Sequence, residues 1–207
     1  MNSANKVCFF NNTSSKCITI HNYGLRTWDC DLVQKKVRFT EILMNSIRRV
    51  FTCCVIDPTD QFAYVGTETG DIVEIGLERN LFKRLGPSKR LFSQGINKIN
   101  LLANGDLLVG SGDGTLAKIG SQDMIVKKEA KVMGAVTSIS LTADSTHFFC
   151  GTNKATIYWC NTDNIAPELR NTCHYEKIND VAFPQGYSEL FATCSLNDIR
   201  IWNTKTR

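Results

Sequence analysis

One pattern limits what this chain can fold into more than any other: a strand–turn–strand–turn–strand unit that recurs along its length. Its fullest copy lies near the C-terminus, as Ile178-Asn-Asp-Val-Ala-Phe-Pro, Glu189-Leu-Phe-Ala-Thr-Cys-Ser and Asp198-Ile-Arg-Ile-Trp-Asn. Short runs of β-branched and aromatic residues, parted by Gly, Asn and Asp, read as strands and turns. The same order occurs four times upstream. Those copies begin at Val7-Cys-Phe-Phe, Phe51-Thr-Cys-Cys, Ile96-Asn-Lys-Ile and Val136-Thr-Ser-Ile. The matching ends of the third strands are Trp28, Ile75, Ile119, Trp159 and Trp202, spaced by 47, 44, 40 and 43 residues.

That spacing is the blade period of a WD40-type β-propeller, roughly 40–45 residues. One small sheet cannot bury both of its faces, whereas sheets stacked radially can. The reading is therefore all-β, with about five blades over residues 5–45, 46–92, 93–132, 133–175 and 176–207. Tight turns precede the third strands at Thr69-Gly70-Asp71, Asp113-Gly114 and Asn153-Lys154. A fourth, outer strand is expected at Val33-Gln-Lys-Lys-Val-Arg-Phe, Leu81-Phe-Lys-Arg-Leu and Met124-Ile-Val-Lys-Lys. Those segments carry the charge that an exposed edge needs. The structural repeat positions are Trp28, Asp29, Asp113, Trp159 and Trp202. Only Trp28-Asp29 keeps the literal dipeptide, and Ile75-Gly76 and Ile119-Gly120 keep neither residue. The count reaches four complete blades and a fifth without its outer strand. An open ring exposes apolar faces, so the chain is expected to be a segment of a longer protein, the other reading being completion by a second chain.

Composition bounds the function classes. With 43% hydrophobic and 21% charged residues, the chain reads as globular. Its net charge of +4 neither requires nor excludes an acidic partner. No apolar run approaches a membrane span. The polar stretch Met1 to Lys6 does not read as a secretory signal, so the expectation is an intracellular protein. The nine cysteines contain no C-x-x-C pair. They are expected to be reduced and to pack as small hydrophobes.

Several segments carry a more specific resemblance. They are Phe183 to Thr204, Tyr64-Val-Gly-Thr-Glu-Thr-Gly-Asp-Ile, Gly105-Asp-Leu-Leu-Val-Gly-Ser-Gly-Asp-Gly, Val136-Thr-Ser-Ile-Ser-Leu and Thr172-Cys-His. In order and spacing they resemble the cilia- and flagella-associated WD40 proteins of the doublet-microtubule lumen. Family members are longer and form two propellers, so this chain would match a middle part. The resemblance implies a non-catalytic structural scaffold of the axoneme, a microtubule inner protein. It would bind tubulin and other luminal proteins and stabilise the doublet. The alternative is a general WD40 adaptor, such as a ubiquitin-ligase or RNA-processing subunit.

The residues themselves offer no catalytic constellation and no cofactor site. His21, His147 and His174 lack a second ligand at metal spacing. Cys173-His174 is a poor thiol–imidazole pair, because neighbours on a strand face opposite sides. Gly110-Ser-Gly-Asp-Gly leads into a strand and reads as turn glycines rather than a phosphate loop. Basic residues cluster on the outer strands and the loops after them: Lys35, Lys36 and Arg38; Arg48 and Arg49; Lys83, Arg84, Lys89 and Arg90; Lys127, Lys128 and Lys131. They read first as a solvated rim. As a contact site for an acidic partner such as tubulin, Lys83, Arg84, Lys89 and Arg90 are the candidates. Aromatics are not interleaved with these cations, which argues against nucleic acid. Nor are a membrane or a small-molecule substrate expected as partners.

Overall fold

The computed structural model describes residues 4–172, 174, 179–184, 189–196 and 198–203. Among them every regular element is a strand, and each sheet is an antiparallel meander. The first sheet holds β1 (Lys6–Phe9), β2 (Lys16–His21), β3 (Gly24–Asp31) and β4 (Lys36–Glu41). The second holds β5 (Phe51–Ile56), β6 (Phe62–Thr67), β7 (Ile72–Gly76) and β8 (Leu81–Gly86). In the third are β9 (Ile96–Leu101), β10 (Leu107–Ser111), β11 (Thr115–Ile119) and β12 (Val126–Lys131). The fourth comprises β13 (Val136–Leu141), β14 (His147–Thr152), β15 (Thr156–Asn161) and β16 (Pro167–Thr172). The fifth shows β17 (Asp180–Ala182), β18 (Leu190–Cys194) and β19 (Ile199–Asn203). The expected start of that last inner strand at Ile178 lies outside the described residues, as does Cys173. The sheets follow one another without closing into a ring.

Two outer strands begin later than the sequence suggests. Asp31 Oδ1 accepts the N–H groups of Val33 and Gln34, and Lys35 takes φ 53°, so the chain turns before β4 starts. Met124, at φ 55°, belongs to the turn before β12 and is buried. A positive φ interrupts a strand in both places.

The core lies in the seams between sheets. Ile18, Ile20 and Leu25 of the first sheet pack with Cys54, Val65 and Ile75 of the second. Tyr64 and Ile72, on the other face of the second sheet, pack with Ile96, Val109 and Ile119 of the third. Leu108 and Leu116 then meet Phe148, Cys150, Tyr158 and Cys160 of the fourth. Strand alternation supplies two such faces per sheet. Glycine sets how closely the sheets approach. A Cβ on Gly66 would lie 2.8 Å from Ile96 Cγ2, and one on Gly110 would lie 2.4 Å from Val136 Cγ1.

Register identifies the equivalent residues in each sheet. Trp28 pairs with Cys17, Ile75 with Ala63, Ile119 with Leu107 and Trp202 with Phe191. Ile75 and Ile119 stand on the face toward the preceding sheet. Trp28 stands on the matching face of the first sheet, opposite to Ile18 and Ile20. Trp159 does not, and this corrects the sequence alignment. It pairs with Phe149 on the face away from the third sheet, where its ring stacks on His147 at 4.9 Å. The phase of β15 is set by Tyr158 and Cys160, which both enter the seam with the third sheet. Cys160 is therefore the equivalent residue, and the spacings become 47, 44, 41 and 42.

Two residues beyond each pairing partner stands a second equivalent position. Thr19 and Thr193 occupy it in the first and fifth sheets, and their hydroxyls accept the indole N–H of Trp28 at 2.7 Å and of Trp202 at 2.6 Å. Where Ile75 and Ile119 replace Trp, Val65 and Val109 replace Thr. The exchange is paired because an indole N–H turned toward a buried strand needs an acceptor and a buried hydroxyl needs a partner. The expected consequence is symmetric. Thr19→Val, by orphaning the indole N–H, and Val65→Thr, by burying a hydroxyl beside Ile75, should each cost about 1–3 kcal/mol. Urea midpoints read the loss. A cost for Val65→Thr no larger than that of an exposed Val→Thr would refute the pairing.

Aspartates hold the turns before the third strands. Asp113 accepts the N–H of Thr115 at 3.0 Å, the hydroxyl of Ser111 and the ammonium of Lys131 at 2.7 Å. The Thr115 hydroxyl donates to the same carboxylate at 2.7 Å. Burial pushes the Asp113 carboxyl up, but Lys131, Ser111 and Thr115 together outweigh that and hold it well below the usual range. Asp71 accepts the Thr67 hydroxyl and, at 2.9 Å, the Arg49 guanidinium. In the fifth sheet Asp198 is drawn down by the Ser195 hydroxyl, His174 and Arg200. A carboxyl depressed by folding stabilises the fold above its unfolded pKa, about 3.9, and loses that contribution as pH falls through the lower folded value. The melting temperature should therefore drop as pH is lowered below about 4. Asp113→Asn should lower stability at neutral pH and make the acid descent shallower. An unchanged descent, followed by circular dichroism, would show that Asp113 is not part of it.

Candidate functional site

The most suggestive chemistry is in the fifth sheet. His174 Nδ1 lies 2.6 Å from Asp198 Oδ1, and its Nε2 meets the Thr193 hydroxyl. An ionised carboxylate only accepts, so Nδ1 donates to Asp198, while Nε2 is in contact with the Thr193 hydroxyl. Hydroxyl, imidazole and carboxylate in series have the order of a nucleophilic triad. The hydroxyl is nevertheless engaged twice, because it also accepts the Trp202 indole N–H. Thr193 and His174 are both buried. The row ties the third strand and its turn to the connection that precedes the sheet, with the Thr193 oxygen buried inside it. Sequence reasoning missed this role for His174 because it weighed the residue only against its neighbour Cys173 and set that pair aside. The signal available was Thr193 nine residues before Trp202, matching Thr19 before Trp28.

The other histidines are also engaged with hydroxyls. His21 Nε2 is 3.1 Å from Thr19 Oγ1, and His147 Nδ1 is 2.8 Å from Thr146 Oγ1. Among the described residues, no group of three His, Cys, Asp or Glu side chains is placed to hold a metal ion. Cys53, Cys54, Cys150 and Cys160 are buried. Burial pushes the Cys150 and Cys160 thiols up to about 12, which keeps them protonated. The Cys8 thiol, hydrogen-bonded to Cys54, is lowered to about 7.

Three of the four predicted cationic contacts are occupied inside the molecule. Glu74, with a side chain only 1% exposed, takes Lys83 at 2.9 Å on one oxygen and Arg84 on the other. Arg84 then donates to the carbonyls of Ser121 at 2.7 Å and Gln122 at 2.6 Å, fastening the second sheet to the third. Lys83 also lies 3.9 Å above the Phe62 ring. Arg90 pairs with Glu129 at 3.1 Å. Lys89 is exposed. Lys127 follows the same scheme, reaching the buried Asp106 at 2.6 Å. A buried carboxylate must be paired, and outer-strand cations do the pairing. The exposed Asp29, in contrast, stands across the strands from Lys16 and Arg38.

A groove of about 1090 Å³ opens between the first and second sheets, lined by Phe10, Trp28, Phe62 and Phe82 with Arg38 and Arg79. It is bridged by Asp60, whose two oxygens accept N–H groups from Asn11 and Asn12. Such a groove, wide and of mixed charge, suits protein contact better than an enclosed small molecule. No helix among the described residues is long and apolar enough to cross a membrane.

Comparisons with known proteins fix the kinship. No protein-family model matches the chain. A solved WD40 β-propeller domain, that of Doa1, superposes with a TM-score of 0.65 at 14% identity, over 99% of this chain and 66% of that one. This likeness shows the fold. Cilia- and flagella-associated protein 52 of Chlamydomonas reinhardtii is 42% identical over 99% of the chain. The Bos taurus protein of that name is 39% identical over 93% of the chain, and the Homo sapiens one 35% over 99%. The chain spans 34%, 32% and 33% of those relatives' lengths. Their shared name ties them to cilia and flagella. This is a cilium-related WD-repeat chain, and over about a third of the relatives' length it belongs to the family of cilia- and flagella-associated protein 52.

Proposed function

We propose that the chain acts as a non-catalytic scaffold inside the axoneme, as a microtubule inner protein that binds tubulin and luminal partners and stabilises doublet microtubules. The observation that carries the reading is its 35% to 42% identity, over 99% of its length, to proteins named for cilia and flagella. The architecture supports it. In the triad-like arrangement of the fifth sheet the hydroxyl and the imidazole are buried and both are hydrogen-bonded, and the buried charges serve to hold sheets together. What the fold presents to solvent is surface, suited to contact with other proteins.

A tagged full-length protein in ciliated cells tests this. Its signal should remain on axonemes after extraction with detergent and moderate salt. Chemical crosslinking of those axonemes should then join residues of this chain to tubulin. A diffuse cytosolic or nuclear signal would place the chain among general WD40 adaptors instead. Retention on axonemes without tubulin crosslinks would overturn the tubulin contact.

A further inference from the structure

The two rims of the sheet row differ in the charge that they expose. In an antiparallel meander, the turns joining first to second and third to fourth strands share one rim. The turns joining second to third strands, with the connections between sheets, share the other. On the first rim several carboxylates face solvent, although Asp106 is buried against Lys127. Glu78, Asp123 and Asp144 are exposed there, and the Asp163 side chain is 91% exposed. On the second rim they turn inward. Asp71 is only 4% exposed and is held by Arg49, while Asp113 and Asp198 are held by Lys131 and Arg200.

That inward turn leaves the second rim cationic. Arg48, Lys89 and Lys154 are exposed on it and, among the described residues, make no ion pair. Glu68 is the exposed carboxylate of the described turns on this side. Exposed apolar side chains share this rim: Tyr23 is 71% exposed and Leu91 62%. Large apolar groups held in water beside unneutralised cations mark a contact surface.

We propose that this rim is a docking surface for a carboxylate-rich protein segment, with Arg48, Lys89 and Lys154 supplying the charge and Tyr23 and Leu91 the apolar contact. The proposal deepens the scaffold reading and rests on it for the partner being a protein. It moves the contact away from Lys83, Arg84 and Arg90, whose charges are spent within the fold. Charge complementarity selects the occupant: a cationic partner would be repelled here and would find the opposite rim instead.

Fluorescence anisotropy of the full chain with labelled poly-L-glutamate, and with a glutamate–tyrosine copolymer, tests it. The Arg48→Glu/Lys89→Glu/Lys154→Glu variant should bind poly-L-glutamate about tenfold more weakly. A variant of equal charge change on outer strands and their turns, Lys35→Glu/Lys36→Glu/Lys128→Glu, should bind as the parent does. The copolymer should bind more tightly than poly-L-glutamate, and Leu91→Ser should remove that advantage. Thermal melts confirm that each variant folds, and Lys89→Glu alone, expected to weaken binding in the same direction, replaces the triple variant if that does not. Equal weakening by both triple variants would reduce the effect to net charge and overturn the proposal, as would no weakening by the first. Loss of axonemal retention with polyglutamate binding intact would overturn the scaffold reading and leave the docking surface standing.

Discussion

Everything in this fold depends on the seam between one sheet and the next. Each four-stranded sheet is apolar on both faces, and neither face can be buried by the sheet that owns it. Burial of Ile18, Ile20, Val65 and Ile75 in one seam, and of Tyr64, Ile72, Val109 and Ile119 in the next, comes entirely from the neighbour. At about 25 cal/mol per Å² of apolar surface removed from water, these contacts are the main favourable term. The repeat period follows from this, since each unit must present the same two faces at the same angle. So does glycine at Gly66 and Gly110, where the next sheet comes too close for a side chain.

Charge serves the seams as well. Glu74 and Asp106 are carboxylates inside the sheet edge, each reached by a cation from the outer strand. Arg84 continues across to two carbonyls of the following sheet. The outer strands thus gain their basic character from the need to neutralise buried carboxylates, as much as from exposure. Burying such groups is costly unless they are fully paired, and here the pairing also fixes how adjacent sheets meet.

The period, the strand order and the tight turns were legible because they rest on local chemistry: alternation, β-branched runs and turn residues. The blades lacking Trp were legible for the same reason. Trp159 misled because an aromatic near a strand end looks alike on either face, and only the seam partners of Tyr158 and Cys160 reveal the phase. Glu74 was invisible as the centre of a charge cluster, because its partners lie nine and ten residues away and meet it only once β7 and β8 pair. His174 was hidden by a longer separation, 24 residues from Asp198. The late starts of β4 and β12 depend on positive φ values that no pattern in those segments announces.

The alternation between Trp with Thr and Ile with Val has a consequence for how such a chain can change over time. Passing from one arrangement to the other takes two substitutions, and their order matters: losing Thr first orphans the indole N–H, whereas losing Trp first leaves the Thr hydroxyl on its histidine. Two self-consistent solutions are therefore joined by one favoured route in sequence space, although both fold the same way. Blades in one chain can settle into either solution independently, because each seam closes its own hydrogen bonds. A chain of this kind can lose its signature tryptophans one seam at a time while its architecture stays fixed. Recognition by motif then fades long before the fold does.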